Sequence, residues 1–325
     1  MKRRSWFFAL VVLATVASVA TVVVRARFER DLAAAAARAA QGSTIAATRC
    51  GPIEYQEAGQ GTPLLVIHGS GGGHDQGMAW ARPLTAHGIR VIAPSRFGYL
   101  RTPRPADASP EAQADAHACL LDALGIGRAA ILGISAGGPS ALQTAIRHPD
   151  RVTALALVVP IAFKPGTLTD SAPPVSDEKD AMLMRLLGSD GLFWLGLHLA
   201  RDQVFRHVLA TPPEQVAAAS PEERARVNAM ADGILPVSAR AAGLRDDTRL
   251  GKALGPYPLA GIRAPTLVIS ARDDGFGTYA AAQYTARGID GATFLGFEDG
   301  GHLLVGHDAA VRAGIVGLLS APTAR

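Results

Sequence analysis

From residue 43 onward, short apolar runs alternate with stretches of helical periodicity. Leu64–Ile67, Ile89–Pro94, Ala129–Leu132, Val152–Val159, Thr266–Ser270 and Phe294–Phe297 each read as a strand, and most are apolar without interruption. Strands of that kind are buried on both faces. Thr44 to Glu57 predicts two further short strands separated by Gly51-Pro52. Between these runs lie helical signals. Ala79 to His87 is closed by Gly88, and Ser109 caps a helix with Pro110 in its first turn that runs to about Leu124. After Gly137, Pro139 again suits a first turn, and Ala141, Leu142, Ala145 and Ile146 recur at helical spacing. Strand-helix alternation of this kind predicts a mostly parallel sheet covered on both faces. Residues 161–257 break the alternation with helical stretches rich in Met182, Leu183, Met184, Leu186, Leu187, Leu192, Phe193, Trp194, Leu195 and Leu197.

The first 43 residues follow another pattern. Lys2-Arg3-Arg4 precedes Trp6–Val24, 19 residues without a charge, and Arg25, Arg27 and Arg30 close the run. As a helix the run is about 28 Å long, close to the hydrocarbon thickness of a bilayer. It exceeds the apolar core of a usual signal peptide. The expectation is a retained single-pass anchor with the remainder exported. Cleavage at the small-residue site Ser18-Val19-Ala20, giving a secreted or periplasmic product, is the alternative. Asp31 to Ala40 is an Ala-rich helical spacer.

Charge sharpens this division. The whole chain has a formal excess of four positive charges, yet Lys2, Arg3, Arg4, Arg25, Arg27 and Arg30 face only Glu29 among the first 30 residues. The rest is therefore near neutral and offers no basic footprint for nucleic acid. With 48% hydrophobic residues, 325 residues are ample for one globular domain with an insertion. Cys50 and Cys119 form no C-x-x-C pair, and neither metal-ligand spacing nor H-E-x-x-H occurs. The two cysteines read as unpaired small apolar residues, with a disulfide as the alternative for an exported domain.

The chemistry centres on Gly133-Ile134-Ser135-Ala136-Gly137, placed between a strand and a helix start. Such a turn exposes the serine, and the flanking glycines let it close. Upstream, Leu64–Ile67 runs into His68-Gly69-Ser70-Gly71-Gly72-Gly73; downstream come Ala271-Arg272-Asp273-Asp274 and Glu298-Asp299-Gly300-Gly301-His302, each after a strand. The glycine run is no P-loop, because no Lys-Ser/Thr follows it, and His74 breaks G-x-G-x-x-G.

These motifs resemble the α/β-hydrolase superfamily, in an esterase-like branch with a helical lid, over roughly residues 45–320. The resemblance implies an α/β-hydrolase fold, with Ser135 as nucleophile, His302 as base and Asp274 as the orienting acid. Asp273 is the alternative acid, and His302 is preferred to His307. Ser70 and Ala136 would supply the two oxyanion N–H groups. His198 and His207 read as packing or surface residues. Ser135 argues against the dehalogenases and epoxide hydrolases of this fold, which carry an aspartate there. Two departures stand out: Ser95 and Thr278 occupy positions where relatives often have aspartate and proline. The implied organisation is an anchor or signal over 1–30, a spacer over 31–43, a hydrolase core over 44–160 and 258–325, and a lid over 161–257. The implied function is hydrolysis of a carboxylic ester, or related acyl bond, of a small apolar substrate. Carbon–carbon bond hydrolysis and a non-catalytic ligand-binding module on the same fold are the alternatives. No cofactor or metal is expected. The partners expected are a small-molecule substrate and, through the N-terminal helix, a membrane.

Overall fold

In the computed structural model, residues 2–165 and 188–320 are described. Eight strands among them form one sheet: β1 (Thr44–Thr48), β2 (Gly51–Ala58), β3 (Thr62–Ile67), β4 (Ile89–Pro94), β5 (Ala129–Ile134), β6 (Val152–Val158), β7 (Thr266–Ala271) and β8 (Thr293–Phe297). Their order is β1-β2-β4-β3-β5-β6-β7-β8. The β1–β2 and β2–β4 pairs are antiparallel and all others parallel. The apolar runs become the central strands because alternate residues feed opposite layers. Leu65, Ile67, Ile131, Leu155 and Val268 pack on one face, and Leu64, Val66, Ala130, Ala156 and Ile269 on the other. Each fully buried Val, Leu or Ile among them contributes roughly 1.5–3 kcal/mol.

Ten α-helices of six residues or more surround the sheet among the described residues. They are α1 (Lys2–Ala40), α2 (His74–Ala81), α3 (Pro110–Ala123), α4 (Gly138–Arg147), α5 (Asp190–Leu199), α6 (Pro213–Ala218), α7 (Pro221–Asp232), α8 (Ala241–Ala253), α9 (Thr278–Gly288) and α10 (Asp308–Ser320). Ser109 caps α3 as its sequence predicts, its side chain accepting from the Ala112 N–H. The helix expected from Ala79 begins earlier, at His74, and passes into a tighter turn over Arg82–His87 that Gly88 ends in a left-handed conformation. Of the apolar positions singled out in 161–257, Phe193, Trp194 and Leu197 are buried, while Leu192 and Leu195 are exposed. Met182, Leu183, Met184, Leu186 and Leu187 lie outside the described residues.

The charge-free run lies in α1, a single helix apolar and long enough to cross a membrane. The helix continues through the Ala-rich stretch, whose Ala35 and Ala39 are buried. Ala35 joins a third apolar cluster with Phe193, Trp194, Val227 and Leu235. The end of α1 is tied to the core through polar groups. His74 Nε2 meets the Ala39 carbonyl at 2.8 Å, and the His74 N–H donates to Ser95 Oγ, which donates to Glu54. Ser95, a departure in sequence, thus works with the buried Glu54 carboxylate. Burial pushes that carboxyl up, but the Arg101 backbone and guanidinium and the Ser43 hydroxyl hold it below the usual range.

Cys50 and Cys119 are joined by a disulfide, Cα atoms 6.0 Å apart, which corrects the expectation of two unpaired thiols. The β1–β2 turn carries Cys50 and α3 carries Cys119, so tertiary packing across a separation of 69 residues brings them together. Spacing alone could not reveal that.

Candidate active site

Ser135, Asp274 and His302 follow the carboxyl ends of β5, β7 and β8, the edge of a parallel sheet where ligands bind. Ser135 sits directly after β5 with φ of 50°, in the left-handed region that a non-glycine residue adopts at a cost of order 1–3 kcal/mol. Its neighbours explain how the turn closes. A Cβ on Gly133 would lie 2.6 Å from Ala141 Cβ, and one on Gly137 would lie 2.4 Å from the Ile67 carbonyl oxygen. Only glycine fits at either position, so α4 packs tightly against the sheet and Ser135 is thrust forward.

The three side chains form a continuous relay. His302 Nε2 is 2.9 Å from Ser135 Oγ, and His302 Nδ1 is 2.8 Å from Asp274 Oδ2. The carboxylate also accepts from the Thr278 hydroxyl and, at 2.9 Å, from the Phe276 N–H. Burial favours the neutral acid, but His302, Thr278 and Phe276 together outweigh it and hold the Asp274 carboxyl below its ordinary pKa. Asp274 is therefore an anion at neutral pH, and its partner on His302 is the Nδ1 proton. In a neutral imidazole so oriented the lone pair is on Nε2, facing the serine at 2.9 Å, the arrangement general-base attack requires. The Phe276 ring stands edge-on to the imidazole at 4.8 Å between centroids. Thr278, the second departure in sequence, supplies a hydrogen bond that proline could not.

Asp273, the alternative acid, points elsewhere. It accepts from the Gly301 N–H at 2.9 Å and from Gln215 Nε2 at 2.5 Å, while Gln215 Oε1 accepts from the Gly300 N–H at 3.1 Å. Asp273 and Gln215 thus hold the Gly300-Gly301 loop that carries His302. His307 is turned away, bonded to Asp299 at 2.8 Å. His198 bonds the Trp194 carbonyl, whereas His207 lines the cavity in front of Ser135.

Ser70 and Ala136 both border that cavity beside Ser135. The approach of the two loops is tight: a Cβ on Gly69 would lie 3.0 Å from Ser135 Cβ. A buried polar cluster holds the Ser70 loop. His68 Nε2 accepts the Arg96 N–H at 2.9 Å and its Nδ1 meets the Gly69 carbonyl at 2.7 Å. Burial, then the nearby Arg96 charge, keep His68 far below its usual pKa and so neutral. Arg96 grips Asp247 with two bonds, and Ser70 Oγ donates to the same carboxylate at 2.9 Å. Nothing in the sequence points to Asp247, which lies on α8, far along the chain from Arg96 and Ser70.

The cavity measures about 410 Å³, within the usual range for small-ligand sites. Trp80, Ile134, Phe193, Met230, Ile234 and Leu303 are among its walls. Its arginine among the described residues, Arg226, is held by two bonds to Glu223. No group of three or more metal-ligating side chains occurs among the described residues.

Comparison with known proteins agrees with this architecture. A family model described as alpha/beta hydrolase fold matches residues 62–308. The 2-hydroxymuconate semialdehyde hydrolase of Pseudomonas sp. (strain CF600) is 43% identical over 106 residues, 31% of this chain and 38% of that one. The chain thus spans under two fifths of the length of the curated relatives it first matches. Among solved structures, an alpha/beta hydrolase fold protein from Nakamurella multipartita is 29% identical, with a TM-score of 0.65, over 85% of this chain and 98% of that one. A membrane phospholipase A shares the fold at 23% identity and a TM-score of 0.63, over 99% of this chain and 100% of that one.

Proposed function

The chain belongs to the alpha/beta hydrolase fold family, and on that premise we propose that it is a serine hydrolase of carboxylic esters with apolar acyl groups. The observation that carries this reading is the unbroken relay from Ser135 through His302 to Asp274 at the floor of an apolar cavity. In the first half-reaction, Ser135 Oγ attacks the ester carbonyl carbon as its proton passes to His302 Nε2. The Ser70 and Ala136 N–H groups receive the developing oxyanion; a donor of this kind is worth about 10²–10³ in turnover. His302 then protonates the departing alkoxide, leaving an acyl-enzyme on Ser135 and a free alcohol. In the second half, His302 takes a proton from water, the hydroxide attacks the acyl carbon, and Ser135 recovers its proton as the carboxylic acid leaves. Asp274 stays ionised throughout. The helices of 161–257 act as a lid over the site, and α1 holds the enzyme to a membrane.

A second reading, hydrolysis of a carbon–carbon bond beside a ketone, has the support of the semialdehyde hydrolase relative. The muconate in that relative's name is an anion. Here the cavity arginine is already paired with Glu223, which weighs toward the uncharged ester. A kcat/KM comparison between soluble acyl esters and vinylogous 1,5-diketone acids tests the choice. Ester turnover abolished by Ser135→Ala is the expected result. Faster cleavage of the diketone acids would replace this reading with the second.

A further inference from the structure

We infer that the substrate is a bilayer-borne acyl lipid, drawn into the site from the membrane surface beside α1. This rests on the reading of the protein as an anchored ester hydrolase and specifies its substrate class. The first observation is one of depth. Phe28 lies four residues past Val24, about 6 Å further along the helix. The polar interface of a bilayer extends about 5–8 Å beyond the hydrocarbon on each side, so Phe28 stands within it.

At that level α1 is fixed to α5. Phe28 packs edge-on against Trp194 with centroids 5.7 Å apart, and Trp194 Nε1 donates to Asp31 at 3.1 Å. On α5, next to this contact, Leu192, Leu195 and Leu199 recur at helical spacing and are 47%, 37% and 80% exposed. Three leucines on one open stripe, held beside a membrane-crossing segment at interfacial depth, form a surface that bilayer lipid would cover.

The second observation is a pair of adjoining cavities with different chemistry. A cavity of about 740 Å³ lies against α1, bordered by Asp31, Arg38, Asp75, Arg201, Asp232 and Arg312. Gln76, Trp80, Arg226, Met230 and Asp308 line both this space and the apolar cavity at Ser135. Arg201 is paired with Asp232, Arg312 with Asp308 and Asp75 with Arg240, so this space is polar with its charges largely balanced, while the walls at the nucleophile are apolar. That contrast matches an amphiphile, with headgroup outside and acyl chain inside.

The test places full-length protein in phosphatidylcholine vesicles and follows two rates, fatty acid release from the vesicle lipid and turnover of a water-soluble butyrate ester. Wild type should perform both. The triple variant Leu192→Ser, Leu195→Ser, Leu199→Ser alters side chains outside both cavities. It should keep soluble-ester turnover within about two-fold and lose about ten-fold or more on the vesicle lipid. An unchanged vesicle rate, or equal loss of both rates, overturns the inference. So does a variant whose only change is from dimer to monomer, since the leucines would then meet a second copy of the chain. Soluble-ester turnover without fatty acid release by wild type overturns this inference alone. Absence of both activities overturns the ester-hydrolase reading beneath it, and release of the protein from vesicles by carbonate overturns the anchor.

Discussion

Replacing Asp274 by asparagine alters charge but hardly shape, and the hydrogen bonds around it fix the consequence. One carboxylate oxygen receives the His302 Nδ1 proton and the Thr278 hydroxyl; the other receives the Phe276 N–H. An asparagine must turn its NH₂ group to one of these sides. Turned to His302, it forces the imidazole proton from Nδ1 to Nε2, where it points at Ser135 Oγ and no base remains. Turned to Phe276, it sets two donors face to face, a cost of about 1–3 kcal/mol, and the imidazolium formed during attack still lacks its counter-charge. Turnover should fall by about 10⁴-fold, as when a serine triad loses its carboxylate, which is roughly 5.5 kcal/mol of barrier. KM should move little, because Asp274 does not border the cavity. Asp273→Asn is the matched control. It keeps an acceptor for Gly301 but loses the bond to Gln215, which cannot turn round because its oxygen serves Gly300. Two donors then meet, a cost of about 1–3 kcal/mol as at Phe276, which at most lowers turnover by about 5- to 150-fold, well short of the loss at Asp274. Steady-state kinetics on a soluble ester, with circular dichroism to check the fold, separates the two. A folded Asp274→Asn enzyme within about ten-fold of wild type, or a larger loss at Asp273, would refute the assignment.

Two further predictions concern stability. The Cys50–Cys119 bridge closes a loop across 69 residues, worth about 4 kcal/mol in the chain-entropy account. Cys50→Ser, or reduction of the wild type, should therefore lower Tm by about 7 °C, the unfolding entropy of a body of about 280 residues being about 0.6 kcal/mol/K; an unchanged Tm would show that the bridge contributes nothing. Burial lowers the pKa of His117 to about 3 and puts His68 well below its ordinary value. Both are depressed in the folded state, so the unfolded chain binds more protons below about pH 6.5. Their contribution is complete above that pH and is lost progressively as pH falls toward about 3, which a thermal-melt series in acid should display as a declining Tm. A flat profile would contradict the burial of neutral histidines.

The sheet is readable because β5 is buried throughout and carries no polar residue, because β6 carries only Thr153 near its start, and because glycine and proline mark their ends. Ser135 is readable for a related reason: the glycines at 133 and 137 that mark it in the sequence are demanded by close contacts with Ala141 and Ile67. The start of α2 was less legible, since Gly77 and polar His74, Asp75 and Gln76 blur its periodicity. The supporting groups were hidden for a deeper cause. Gln215 reaches Asp273, and Asp247 reaches Arg96, across long stretches of chain, and only folding brings them together. Thr278 and Ser95 appeared as departures from a family pattern. In the structure each is a hydroxyl serving a buried carboxylate, Asp274 and Glu54 respectively.

The central claim, an activated serine at position 135, is tested most directly by reacting the full-length protein with a fluorophosphonate and mapping the adduct by peptide mass. A single adduct on the peptide containing Ser135, absent after Ser135→Ala, is the result the relay through His302 to Asp274 predicts. Labelling that survives Ser135→Ala undiminished, or an adduct on another residue, would contradict it.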